Sequence, residues 1–237
     1  KYRTPIGLEQ DDLVGFAFVD DTDLAVGDLR RAELDISDIF DDAQKAIDSW
    51  EGGLKATGGA IRPDKSFVYP ISFAFKPSGE YYFEKVEDME HTLTVRNHEH
   101  AREELELVDA HVGKETLGMF LAPDGNMDCQ FKALKKKVNK WTACVRSGII
   151  PPNDAFRSIS STIMKTLEYT ACATTFSRKE CTKLVRPIHD AALPNSHICR
   201  TIPNAIRYGS KDALGLGLDD LYVSQEVDKV IFYLDNI

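Results

Sequence analysis

No stretch of this 237-residue chain is apolar for long enough to cross a bilayer. The longest apolar runs, such as Gly15–Val19, fall far short of the roughly 20 residues a spanning helix needs. No charged n-region followed by an apolar h-region marks a secretory leader. Cysteines are few and odd in number: Cys129, Cys144, Cys172, Cys181 and Cys199, with no C-x-x-C pair among them. That spacing argues against a disulfide framework or a zinc ribbon, and it points to a reducing compartment, cytoplasm or nucleus. Of the histidines, His98 and His100 flank Glu99 in a polar stretch that reads as a solvated turn rather than a metal site. There is no internal repeat, no low-complexity tract and no Gly-rich loop of the kind that cradles phosphates.

What is present suffices for one or two compact units, since 43% of the residues are apolar. The chain opens on Lys1 and enters almost directly into a strand-like run, as a segment of a longer protein would. The net charge of −9 is unevenly spread. Residues 1–128 hold 28 acids against 13 lysines and arginines, whereas residues 129–237 hold 10 against 16. Such asymmetry hints at a polyanion-facing half. Charge alone does not choose between that and two ordinary solvated surfaces.

Gly15–Val19 reads as a buried strand, interrupted by Asp20-Asp21-Thr22-Asp23 and resumed by Leu24-Ala25-Val26. This predicts a β-hairpin over Gly15–Val26 with Asp20 and Asp21 at or beside its turn. Ile39, Phe40, Ala43, Ile47, Trp50 and Leu54 recur at helical spacing, predicting a helix over 37–55 that stops at Thr57-Gly58-Gly59. A strand is expected from Lys65 towards Phe75, with Pro70 as an irregularity, then a turn at 76–80. Further strands are expected at 81–86, 92–96, 104–108 (the last also readable as helix) and 116–121, with a turn at Pro123–Asn126. From 129 the period becomes helical. Phe131, Leu134, Val138, Trp141 and Val145 form one stripe, and Lys132, Lys136 and Lys140 another. A second helix follows Pro151-Pro152, with Phe156, Ile159, Ile163 and Leu167 inward. Helices are expected near 178–190 and 219–233, with Leu193-Pro194 and Ile202-Pro203 breaking the chain between them.

Adjacent carboxylates at a hairpin tip repel unless a proton or a cation intervenes. Hard oxygen ligands select Mg²⁺ or Mn²⁺, which also bind phosphates. The pair therefore suits a divalent-metal site acting on a phosphoryl group. An acidic, solvated turn is the plainer alternative for the dipeptide alone.

The surroundings are more specific. Phe18-Val19-Asp20-Asp21 after an apolar strand and before Thr22-Asp23-Leu24 resembles motif C of reverse transcriptases. The helix bearing Trp50, then Gly53-Leu54-Lys55, Thr57-Gly58-Gly59 and Lys65-Ser66 on a following strand, resembles motif D. Leu117-Gly118 opening a hairpin resembles the primer-grip region, motif E. The helical remainder, with Tyr169, Leu193-Pro194 and Gly215-Leu216-Gly217-Leu218, resembles the thumb and trailing region of LINE-type (non-LTR) retroelements.

That resemblance implies an α+β chain: residues 1–128 as the C-terminal part of a polymerase palm, and 129–237 as an α-helical thumb-like unit. It implies an RNA-directed DNA polymerase acting on an RNA template, a DNA primer and dNTPs. Asp20 would bind both catalytic Mg²⁺ (or Mn²⁺) ions, and Asp21 would be a secondary acid near them. The two ions, about 3.5–4 Å apart, would activate the primer 3′-hydroxyl and stabilise the leaving pyrophosphate. Lys65 would approach the triphosphate, or else be an ordinary strand-edge lysine. Leu117 and Gly118 would support the primer strand, and Lys132, Lys136 and Lys140 would track the duplex backbone. Trp141 belongs to the core stripe, and Asp23 is read as structural or solvated. The family also needs a metal-binding aspartate on an earlier strand and a substrate-binding helix. Glu9, Asp11 and Asp12, in a short polar lead, leave no room for them. The upstream half of the same polymerase is therefore an implied partner, and the segment alone is expected to be inactive. Two rivals stay open: a non-catalytic, retroelement-derived domain that binds nucleic acid or protein, and an unrelated Mg²⁺-dependent phosphohydrolase using Asp20, Asp21 and Asp23.

Overall fold

The computed structural model describes residues 2–3, 10–11, 15–18, 21–27 and 36–235. The chain is a mixed α and β protein, 51% helical and 13% strand. It divides into two compact units. One comprises residues 1–112 with 122–126, and the other 113–121 with 127–237.

In the first unit, β1 (Tyr2–Arg3) pairs with β2 (Gln10–Asp11), and β3 (Gly15–Phe18) pairs antiparallel with β4 (Asp21–Leu24). Helix α1 (Ile36–Ala56) follows the expected periodicity and ends as the glycines dictate. Gly58 takes a positive φ of 83°, and the Gly59 N–H bonds back to the Leu54 carbonyl at 2.8 Å. Ile36, Phe40, Ala43 and Ile47 line one face of α1 and pack with Leu93, Val95 and Leu105. The strands are short: β5 (Phe67–Val68), β6 (Phe73–Phe75), β7 (Tyr81–Phe83), β8 (Thr94–Arg96), β9 (Arg102–Glu104) and β10 (Glu106–Leu107). β6 pairs with β7 and β8 with β9 as hairpins, while β5 and β10 pair in parallel across a long sequence gap. Gln44 of α1 docks on β8 as a strand would. Its Nε2 donates to the Thr94 carbonyl, and its Oε1 accepts from the Thr94 N–H, both at 2.9 Å. Every sheet among the described residues has two strands.

The expected strand from Lys65 to Phe75 is not continuous. Pro63 starts a 3₁₀ turn over Pro63–Lys65, which Arg62 braces by gripping Asp64 at 2.6 Å. Pro70, without an N–H, falls in the gap between β5 and β6. Lys65 therefore ends a turn rather than standing on a strand. Residues 116–121 are likewise not one strand but the end of one hairpin arm, its turn and the other arm.

In the second unit, β11 (Lys114–Thr116) and β12 (Met119–Leu121) form that hairpin. It is fastened to α2 (Asp128–Arg146), where the buried Gln130 Oε1 accepts the Phe120 N–H at 2.9 Å. Leu134, Val138 and Val145 of α2 are buried as the stripe predicted, and Phe131 and Trp141 pack on the same core half-buried. After α3 (Pro152–Ser158), residues 159–163 widen into a π turn before α4 (Met164–Glu168). Ile159, Ile163 and Leu167 stay buried through it. Helix α5 (Arg178–Asn195) starts on a reciprocal capping box between Ser177 and Glu180. It runs past its expected end, through Pro187 and Pro194. Each proline removes one i→i−4 bond. The continuous buried face of Leu184, Val185, Ile188, Ala191, Ala192 and Leu193 holds the helix together regardless. The short α6 (Asn204–Arg207) and α7 (Leu221–Asp235) complete the unit. Between them, Gly209 and Gly215 lie so close that a Cβ on Gly215 would collide with the Gly209 carbonyl. This contact lets Leu216 and Leu218 bond to the carbonyls of Ile206 and Arg207, at 2.7 and 3.2 Å. No described helix is long and apolar enough to cross a membrane.

Candidate functional site

The acidic hairpin is built by register. Gly15 pairs with Leu24, Phe16 with Asp23, Ala17 with Thr22 and Phe18 with Asp21. The expected β-hairpin is present. Only Val19 and Asp20 separate its last pair, and both lie outside the described residues. Asp21 and Asp23, two positions apart on β4, share one face of the strand, and both are exposed. Side chains at that spacing can approach one ion together, so Asp23 stands beside Asp21 as a second carboxylate on that face. Exposed carboxylates are hard donors suited to a hydrated Mg²⁺, which keeps several of its waters. Among the described residues no group of three or more His, Cys, Asp or Glu side chains clusters as a metal site. Lys65 is exposed at the end of its 3₁₀ turn, and no hydrogen bond or ion pair joins it to Asp21 or Asp23.

The turn at Leu117-Gly118 is the most constrained of the predicted positions. Both residues have positive φ, 51° and 78°, as a two-residue hairpin turn matched to strand twist requires. Gly118 adopts this freely. Leu117 does so at a cost on the order of 1 kcal/mol, because its Cβ crowds the backbone. Its side chain is nevertheless 45% exposed, so burial does not compensate. The Tyr169 hydroxyl, at the end of α4, donates to the Leu117 carbonyl at 3.0 Å and fixes the turn. A strained, braced turn carrying an exposed apolar side chain suits a contact surface. Tyr169 was legible only as part of a trailing pattern; nothing in the sequence tied it to residue 117.

Lys132, Lys136 and Lys140 stand exposed along α2, opposite the buried Leu134, Val138 and Val145. Lys135, Lys137 and Arg146 are exposed as well. Among the described residues none of these six cations has an acidic partner, whereas Lys45, Lys76, Lys165 and Lys229 each do. Six unneutralised cations on one helix leave a field suited to a polyanion. The braced turn and the lysine face belong to the same unit, and the acidic hairpin belongs to the other. No protein-family model, curated protein or solved structure matches the chain.

Proposed function

We propose that the chain is the C-terminal portion of a reverse transcriptase domain of the non-LTR retrotransposon type, working in the cytoplasm or nucleus. The β3–β4 hairpin carries this reading: an apolar strand closes on an acidic one with only Val19 and Asp20 between the last pair. In this reading Asp20 and Asp21 hold Mg²⁺, or Mn²⁺, together with an aspartate from the upstream half of the polymerase. The metal supplies Lewis acidity and lowers the pKa of what it binds. Lys65 approaches the dNTP triphosphate. Leu117 and Gly118 bear on the DNA primer, and the α2 lysines on the backbone of the template–primer duplex. The second reading, a retroelement-derived domain that binds nucleic acid without polymerising, is supported by the same lysine face, which needs no active site.

Two measurements test the parts. Calorimetry of this chain alone should give weak Mg²⁺ binding, no tighter than about millimolar, because two exposed carboxylates without a third ligand recover too little of the cost of displacing water from an ion that dehydrates reluctantly. Micromolar binding would favour a self-contained hydrolase instead. Replacing Lys132, Lys136 and Lys140 by Ala should weaken duplex binding equally for every sequence. It should also flatten the log–log salt dependence by roughly 0.9 for each lost phosphate contact on a B-form duplex. Stability should change by no more than about 0.5 kcal/mol for each exposed lysine removed. An unchanged slope would make the stripe a merely solvated face.

A further inference from the structure

A cleft of about 550 Å³ opens in the helical unit between α5, α6 and the start of α7. Four arginines line it: Arg178 and Arg186 from α5, Arg200 from the connecting loop, and Arg207 from α6. Two acids share the wall, and both are engaged. Asp190 pairs with Arg186 at 3.6 Å, and the Asp220 Oδ1 caps α7 by accepting the Tyr222 N–H at 3.0 Å. The Arg178 guanidinium lies over the Tyr222 ring, 4.8 Å from its centroid, with no hydrogen-bond partner of its own among the described residues. Arg200 also lacks one for its side chain. The cleft thus holds an excess of donors and positive charge.

Two of its polar atoms are buried without a partner among the described residues: His189 Nε2 and Arg207 Nε. His189 is only 3% exposed, and its ring leans on Tyr208 with centroids 6.1 Å apart. The other Arg207 nitrogens are committed, to Asn204 Oδ1 at 3.2 Å, the Arg200 carbonyl at 3.0 Å and the Ile202 carbonyl at 3.2 Å. Its Nε–H can only donate. Buried polar groups ordinarily find partners, so two orphans lining one cleft call for an acceptor. Burial, reinforced by the Arg207 guanidinium, lowers the His189 pKa to about 4, so its ring is neutral near pH 7 and can present an N–H.

We infer that this cleft is a binding site for a phosphate ester, the phosphate seated against Arg200, Arg207 and His189 and its nucleoside beside Tyr208 and Tyr222. Guanidinium forks match phosphate oxygens in pairs, and the Nε–H of Arg207 and an N–H of the neutral His189 ring supply the buried donors. The cleft is too roomy for a bare phosphate, and Tyr208 and Tyr222 line it as aromatic surface for a base, with Arg178 over one face of Tyr222. The site stands whether or not the chain polymerises.

The test follows the His189 ring resonances by NMR in the full chain, carrying the three α2 lysine substitutions so that only the cleft reports. The probes are adenosine monophosphate, a short single-stranded RNA and a poly-glutamate peptide, and the comparison is with R178A/R200A, which removes no side-chain hydrogen bond among the described residues. Shifts with the mononucleotide and the RNA, weakened at least tenfold in R178A/R200A, establish a site for free nucleotides. Shifts with the RNA alone, weakened in the same way, establish a strand-binding site. Resonances that ignore both, shifts that persist undiminished in R178A/R200A, or equal shifts with poly-glutamate overturn the assignment. A thermal melt matching wild type shows that the double variant is folded. Should it melt early, R200K, which keeps the charge but loses the fork, replaces it with the same criteria.

Discussion

Asp20→Asn, in the chain joined to its upstream half, is expected to cut primer extension on an RNA template by at least about a hundredfold. Removing one preorganised group that stabilises transition-state charge commonly costs about 10²–10³ in rate, and an aspartate shared by two ions serves both the attacking and the leaving oxygen. Asp21→Asn should fall short of that loss, since the proposed reading makes Asp21 a secondary acid near the ions. Asp21 and Asp23 share the exposed face of β4, so Asp23→Asn is the informative control. It should leave the rate near wild type if Asp23 is only solvated. A joined protein that keeps a near-normal rate as Asp20→Asn, or that loses more through Asp23 than through Asp20, would mean that the hairpin's acids are wrongly assigned.

Gln225→Ala is expected to destabilise the helical unit by on the order of 3 kcal/mol. Gln225 is 1% exposed on α7, and its amide is used on both sides. Oε1 accepts from Thr174 Oγ1 at 3.1 Å and from the Phe176 N–H at 3.0 Å. Nε2 donates to the Phe176 carbonyl at 3.0 Å and to Glu226 Oε1 at 3.1 Å. Truncation leaves the Phe176 N–H buried and unpaired beside a new cavity, and its carbonyl with only the long contact from Cys181 Sγ at 4.0 Å. Gln225→Met fills most of the volume without the hydrogen bonds, so its loss measures the polar part alone. Urea unfolding followed by circular dichroism gives both values. An Ala variant within about 0.5 kcal/mol of wild type would show that the amide does not fasten α7.

What the sequence disclosed is what repeats locally. α1 and α2 could be read from their apolar stripes, and the end of α1 from its glycines. The acidic hairpin could be read because an apolar run, a short acidic break and a second apolar run permit little else. Interactions between distant segments could not be read. The parallel pairing of β5 with β10 joins Phe67 to Glu106 across chain that carries no trace of it. α5 extends through two prolines because packing outweighs the lost bonds, a comparison no local rule makes. Gln225 reads as a surface residue between Ser224 and Glu226, and only the fold shows it bridging to Phe176. The contiguous lysines of α2 were visible as a run. The four arginines of the cleft, spread from 178 to 207, become a group only when α5 and α6 meet. In the candidate site, the positive φ of Leu117 follows once 114–121 is known to be a hairpin, but the Tyr169 brace does not.

The most direct measurement is incorporation of dNTPs by the chain joined to its natural upstream half, with a DNA primer on an RNA template and Mg²⁺ present. The polymerase reading predicts extension whose sequence copies the template and which stops when the metal is chelated. A joined protein that is folded and binds the duplex, yet adds no nucleotide with Asp20 and Asp21 intact, would contradict it.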